Sequence, residues 1–224
     1  MSQIVVEKKV LNENQKLAEE LRAKFREHKI LVVNIISSPG SGKTTLLERT
    51  LERLDKGRRV RLLTGDLQTE NDAKRLAQWG FPVKQIITGG TCHLDAKMIT
   101  KHLEDWPLDT FDMLIIENVG NLVCPTSYDL GEHFKIVMLS VTEGEDKPLK
   151  YPSIFVRSEL MLLSKVDLLP YLSFDAELAK KNARSVHPGM EIIETSSKGN
   201  GLDTWIAWLD AKIKAVKSGE LVSA

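Results

Sequence analysis

The segment 30–45 constrains the fold more than any other part of the chain. An apolar, largely β-branched run over 30–36 reads as a buried strand. A loop of small residues follows, Ser37-Ser38-Pro39-Gly40-Ser41-Gly42. A helix is then predicted over 43–54, with Leu46, Leu47, Thr50, Leu51 and Leu54 on its inner face. Strand, glycine-containing loop and helix in that order are the context in which backbone N–H groups converge on phosphate oxygens. The helix N-terminus adds the positive end of its dipole. Lys43 is placed to reach β- and γ-phosphates and the Thr44 hydroxyl to ligate Mg²⁺, with Gly40, Ser41, Gly42 and Thr45 completing the cradle. Ser37 stands where G-x-x-x-x-G-K-[ST] has its first glycine, while the match from Gly40 to Thr44 is intact. The bland reading, a Gly/Ser turn before an ordinary helix, is the weaker of the two.

The rest of the chain alternates. Strands are predicted over 30–36, 59–64, 83–87, 112–117, 134–142, 159–164 and 191–194, and further helices over 70–79, 94–104, 175–185 and 202–215. This pattern predicts an α/β chain, a three-layer P-loop NTPase with a mostly parallel sheet covered by helices on both faces. Asn12 and Gln15 suggest a capping box for a helix carrying Leu17, Leu21 and Phe25 on one face. The organisation expected is one domain over 1–224: a helical extension over 1–29, a nucleotide-binding domain over about 30–215, and a frayed tail over 217–224.

With 31 basic against 31 acidic residues, the chain gives no electrostatic reason to expect nucleic acid or an anionic membrane as partner. It shows no basic-then-apolar leader, and no apolar run near the roughly 20 residues that span a bilayer. Two cysteines make no disulfide framework, so the expectation is a cytoplasmic protein with reduced thiols.

Ligands of open α/β sheets bind outside the carboxyl ends of the strands, so the loops there should carry the chemistry. Glu117, at one such end, suits Mg²⁺ or the attacking water, and Gly120 would place an amide near the γ-phosphate; a solvated surface charge is the competing reading. Asp66 follows the strand at 59–64 as a second Mg²⁺ or water-positioning carboxylate, or else as the first residue before a helix. Ser164-Lys165-Val166-Asp167 follows a later strand. Asp167 can accept from N1–H and N2–H of guanine, Lys165 can lay its stem over the base, and Ser197 and Lys198 lie in a segment whose amides could meet O6. The nucleotide expected is therefore GTP rather than ATP.

Cys92 and His93 lie just past the strand at 83–87, and Cys124 on the loop leaving what is expected to be a neighbouring strand. Thiolate and imidazole suit Ni²⁺ or Zn²⁺. Three ligands leave the coordination sphere incomplete, which calls for water or a second subunit. Buried core cysteine is the alternative. His102 and His133 have no such company, and Trp205 and Trp208 read as core packing.

Six stretches occur in one order: 38–45, Gly65-Asp66, Gly90-Thr91-Cys92-His93, 117–125, 143–152 and Ser164-Lys165-Val166-Asp167. Together they resemble the hydrogenase nickel-insertion GTPases over about residues 10–215. That resemblance implies slow GTP hydrolysis with Mg²⁺, transfer of Ni²⁺ (or Zn²⁺) and a nucleotide- and metal-regulated homodimer. The partners it implies are the hydrogenase large-subunit precursor and other maturation factors. The urease accessory GTPases are a weaker match, and the extra loop lysine of MinD-like ATPases is Ser38 here. Some members carry an N-terminal Cys-x-x-Cys-Gly-Cys site or a histidine-rich stretch; the first thirty residues here hold no cysteine and only His28. Two rivals stand: a P-loop small-molecule kinase, whose arginine-rich lid is missing from 143–152, and a metal-binding module with an idle P-loop. No glutamine or arginine finger is evident, so turnover should be slow.

Overall fold

The computed structural model describes residues 3–68 and 70–221. Helix α1 (Gln3–Glu27) leads into β1 (Leu31–Ser37), followed by α2 (Lys43–Arg53), β2 (Val60–Asp66), α3 (Asn71–Ala77) and β3 (Val83–Ile87). The chain continues through α4 (Ala96–Leu103), β4 (Met113–Glu117), β5 (Phe134–Ser140), α5 (Lys147–Lys150) and α6 (Pro152–Val156). It closes with β6 (Leu160–Ser164), α7 (Ala176–Val186), β7 (Glu191–Thr195) and α8 (Leu202–Ser218). The seven strands form one sheet, every pairing parallel, in the order β3-β2-β4-β1-β5-β6-β7.

Alternation along β1 explains the layers. Val33 and Ile35 face a core built with Leu47 and Leu51 of α2 and Trp205 and Leu209 of α8. Val32 faces the opposite way, onto Leu21 and Phe25 of α1 and Ile99 of α4. A second core on that face joins Val137 and Met161 to Ile154, Phe155 and Ala179. Because β1 is covered on both sides its residues are all buried, which accounts for a run apolar on both faces, interrupted only by Asn34 before Ser37, rather than an alternating one. β1 pairs with β4 on one edge and β5 on the other, so the crevice at its carboxyl end opens between diverging connections. The 30–45 loop sits at that point.

Several sequence expectations need correction. Helix α1 begins at Gln3, so Asn12 and Gln15 lie inside it; Gln15 Nε2 donates to Glu19 Oε1 one turn on (3.3 Å) instead of reaching back to a cap. A capping box needs non-helical backbone at its first residue, and here the helix continues past it. The strand expected over 134–142 stops at Ser140, where Glu143 N turns back to Ser140 O. Helices expected to begin at 94 and 175 begin one or two residues later, with Asp95 and Asp175 as N-caps that accept from Met98 N and Leu178 N. The short α5 and α6, each carrying a proline in its first turn, were not anticipated. Fraying was expected from 217, yet α8 runs to Ser218 and Lys217 pairs with Asp112 at 3.1 Å; 222–224 lie outside the described residues. Trp205 and Trp208 stack in the core as expected. His102 and His133 are helix and loop residues, and His133 Nδ1 accepts from Val32 N.

Candidate nucleotide and metal sites

Gly42 holds φ at +98°, a backbone state costly for any residue with a Cβ, and so turns the loop into α2. Lys43 then points back along the loop, buried, with Nζ donating to Ser37 Oγ at 2.9 Å. The serine in place of the first glycine thus gives the lysine a neutral partner. Burial lowers the Lys43 pKa, and the carboxylates of Glu117, Asp72 and Glu143 oppose that shift. One residue on, Thr44 Oγ1 donates to Glu117 Oε1 at 2.7 Å. Glu117 is 3% exposed, which rules out the solvated-charge reading, and its Oε2 has no hydrogen-bond partner. Burial pushes its pKa up to about 7 despite the nearby Lys43 ammonium.

A cavity of about 450 Å³ brings together Gly40, Gly42, Lys43, Thr44, Thr45, Asp66, Glu117 and Gly120. Asp66 ends β2, its Oδ1 accepting from Gln68 N, while α3 starts only at Asn71; it is not that helix's cap. Gly120 packs so tightly on the loop that a Cβ would stand 3.0 Å from Pro39 Cα. On the other side of the Gly42–Thr45 turn lies a cavity of about 260 Å³ that includes Ser41, Lys165, Asp167 and Ser197. Lys165 adopts positive φ (61°) and extends Nζ to Gly40 O at 2.7 Å. Lys198 does not offer its amide: that N–H goes to Ser196 Oγ, and the ammonium pairs with Asp167 at 3.4 Å.

The ligand atoms of Cys92, His93 and Cys124 all lie within 4.8 Å of one another, half-buried. Their loops leave β3 and β4, which are not neighbours, since β2 lies between them; the expected adjacency is corrected, and the loops reach across. His93 stacks on Tyr128 (3.7 Å between centroids), which orients the ring. Burial lowers its pKa and favours the neutral, ligating imidazole. The Cys92 thiol is pushed up, chiefly by its hydrogen bond with Cys124.

Sequence reasoning missed the residues that tie these sites together. Asn118 Oδ1 accepts from Leu94 N (3.2 Å) and Val119 N (2.9 Å), and its Nδ2 donates to Asn34 Oδ1 (3.2 Å). Asn34 Nδ2 continues to Glu132 Oε1 at 3.1 Å, and Asn14 Oδ1 accepts from Ala96 N at 2.8 Å. Asp72 and Arg75 line the phosphate-side cavity from α3, with Arg75 gripped by Glu48. Glu143 accepts from Ser41 Oγ and Ser140 N. An asparagine within an otherwise apolar strand, as at position 34, is the one signal that the sequence offered.

The CobW/HypB/UreG nucleotide-binding domain matches residues 31–194. The chain is 55% identical over 208 residues to the hydrogenase maturation factor HypB of Escherichia coli (strain K12), covering 92% of this chain and 72% of that protein. Among solved structures, HypB from Archaeoglobus fulgidus shares 41% identity at a TM-score of 0.84, covering 90% of this chain and 99% of that one. HypB from Helicobacter pylori in complex with nickel shares 38% at a TM-score of 0.85, covering 95% and 99%. A likeness carried both by sequence over most of the chain and by the fold of two solved relatives has one reading: the chain belongs to the HypB hydrogenase maturation factors of the CobW/HypB/UreG family.

Proposed function

We propose that this chain is a GTP-hydrolysing nickel metallochaperone, a cytoplasmic homodimer that passes Ni²⁺ toward a [NiFe]-hydrogenase large-subunit precursor with the help of other maturation factors. One observation carries the reading: the single segment 117–124 supplies Glu117 to the phosphate-side cavity and Cys124 to the thiol–imidazole cluster. The donor set beside Lys43 fits Mg²⁺, because Thr44, Asp66 and Glu117 offer hard oxygens and the Glu117 Oε2 is buried without a hydrogen-bond partner. Held by these residues, Mg²⁺ would supply positive charge to offset the charge developing on the phosphates. Lys43 neutralises β- and γ-phosphate, Gly40 to Thr45 cradle the chain of phosphates, Gly120 lies beside the γ-position, and Asp66 or Glu117 orients water. Asp167 selects guanine, with Lys165 over the base and Ser197 and Lys198 at its rim. Arg75, the guanidinium lining the cavity, is held by Glu48, so hydrolysis is slow. Cys92, His93 and Cys124 hold Ni²⁺, or Zn²⁺ in competition, with the remaining positions filled by water or the partner subunit.

The test is titration of the purified protein with Ni²⁺ and with Zn²⁺, in GDP and in a non-hydrolysable GTP analogue with Mg²⁺. Coupled sites differ by about 5- to 150-fold in affinity between the two states. Equal affinities in both states, or nickel binding that survives Cys92→Ala and Cys124→Ala, would overturn the proposal.

A further inference from the structure

Glu117 and His93 are each followed by a residue of one shared contact. Asn118, directly after Glu117, accepts the amide hydrogen of Leu94, directly after His93, at 3.2 Å. The same oxygen accepts from Val119 N, fixing the turn by which the chain leaves β4. Its amide group donates to Asn34, which donates to Glu132, so the Asn118 side chain is anchored on β1 and beyond rather than free to rotate. Asn118 is 1% exposed and Asn34 is fully buried. Buried hydrogen bonds that are all satisfied hold one geometry, because breaking any of them strands a polar group away from water. Asn121 adds a longer contact on the same path, donating to Cys92 O at 3.4 Å.

We infer that Asn118 is the positioning residue that sets the Cys92–His93 pair against Cys124 according to what occupies the phosphate-side cavity. The inference rests on the proposed function for the coupling itself and adds which side chain transmits it. A displacement of Glu117 toward a bound cation carries Asn118 with it, and the bond to Leu94 N passes that displacement to the backbone of both loop ligands. Covalent connection along 117–124 alone would move only Cys124. With Asn118 in place, all three ligand positions respond together.

The experiment measures Ni²⁺ affinity in the GDP and GTP-analogue states for the full chain, Asn118→Ala and Asn34→Ala, with exchange of the Leu94 amide hydrogen followed in the wild type. Asn118→Ala should bring the wild-type ratio of affinities to within about twofold of unity, from the 5- to 150-fold range of coupled sites. Asn34→Ala, which leaves the Leu94 bond but removes its anchor, should give an intermediate ratio. The Leu94 amide should exchange at different rates in the two nucleotide states. A wild-type ratio retained by both variants, or equal Leu94 exchange in both states, would overturn the role of Asn118 while leaving the metallochaperone reading standing. A wild type with no ratio at all would overturn that reading, and this inference with it.

Discussion

The phosphate-side cavity and the thiol–imidazole cluster lie at the same edge of one sheet, yet they are built in opposite ways. The first is mostly local: Gly40 to Thr45 form a single turn, and that turn also walls the second, base-side cavity. The second is convergent, its ligands arriving on two loops whose strands are separated by β2. A local site owes its geometry to backbone conformation, here positive φ at Gly40 and Gly42 followed by a helix N-terminus. A convergent site owes it to whatever holds the loops, which here is a chain of buried asparagines. The two sites should therefore fail differently.

The largest expected effect lies in the local site. Lys43→Ala removes charge-assisted contacts of about 1.5–3 kcal/mol each, or roughly 10- to 150-fold in GTP affinity per contact. Metal affinity of the nucleotide-free protein should stay within about twofold, because no cluster ligand touches Lys43. Isothermal titration with GTP and with Ni²⁺ reads both arms. Wild-type turnover in Lys43→Ala with an unchanged circular-dichroism spectrum would remove the phosphate site from the proposal.

Next is the convergent site. Cys124→Ala should weaken Ni²⁺ by more than the about 10- to 100-fold typical of changes outside the ligands. GTP affinity without metal should be unaltered, since Cys124 is not among the residues lining either cavity. A parallel loss of GTP binding would mean that the two sites are a single structural unit, and the contrast drawn above would collapse.

The smallest effect is a pH dependence that separates a buried carboxylate at the phosphate site from a buried imidazole elsewhere. Glu117 rises from 4.5 to about 7 through burial, so between those values the native state keeps a proton that the unfolded chain has released. Its contribution makes stability fall as pH rises through that window. His133 is lowered from 6.5 to about 4, again chiefly by burial, so the unfolded chain binds the extra proton and stability rises with pH over that range. The two oppose each other between about 4.5 and 6.5. In nucleotide- and metal-free protein, Glu117→Gln should leave a rise in thermal midpoint with pH, and His133→Asn a fall. Slopes of the same sign in both variants would contradict these assignments.

The difference between the sites also explains what could be read in advance. The parallel α/β sheet follows from predominantly apolar strands alternating with amphipathic helices, and each strand was placed within a few residues. Lys43, Thr44, Asp66, Glu117 and Asp167 all line one of the two cavities, because each sits at a strand end, a loop or a helix start where position in the chain already implies position at the crevice. The capping box at Asn12 failed because a local pattern was read without the turns of helix that precede it. Asn118 and Glu132 carried no local signal, since a buried hydrogen-bonded polar residue looks in sequence like an exposed one; Asn34 alone stood out, as an asparagine inside an apolar strand.

What the sequence determined by itself is the chemistry available: a phosphate-loop pattern, hard oxygens, two thiols and an imidazole, and a carboxylate expected at the base. Periodicity and glycine placement fix such things within a few residues of chain. Tertiary structure decided the rest. It buried Glu117 beside Thr44 and shifted its pKa, gave Lys43 a serine hydroxyl for a partner, and paired Lys198 with Asp167. It also drew Cys92, His93 and Cys124 within 4.8 Å across an intervening strand. Burial and long-range hydrogen bonding depend on which elements pack together, and that is a property of the folded chain as a whole.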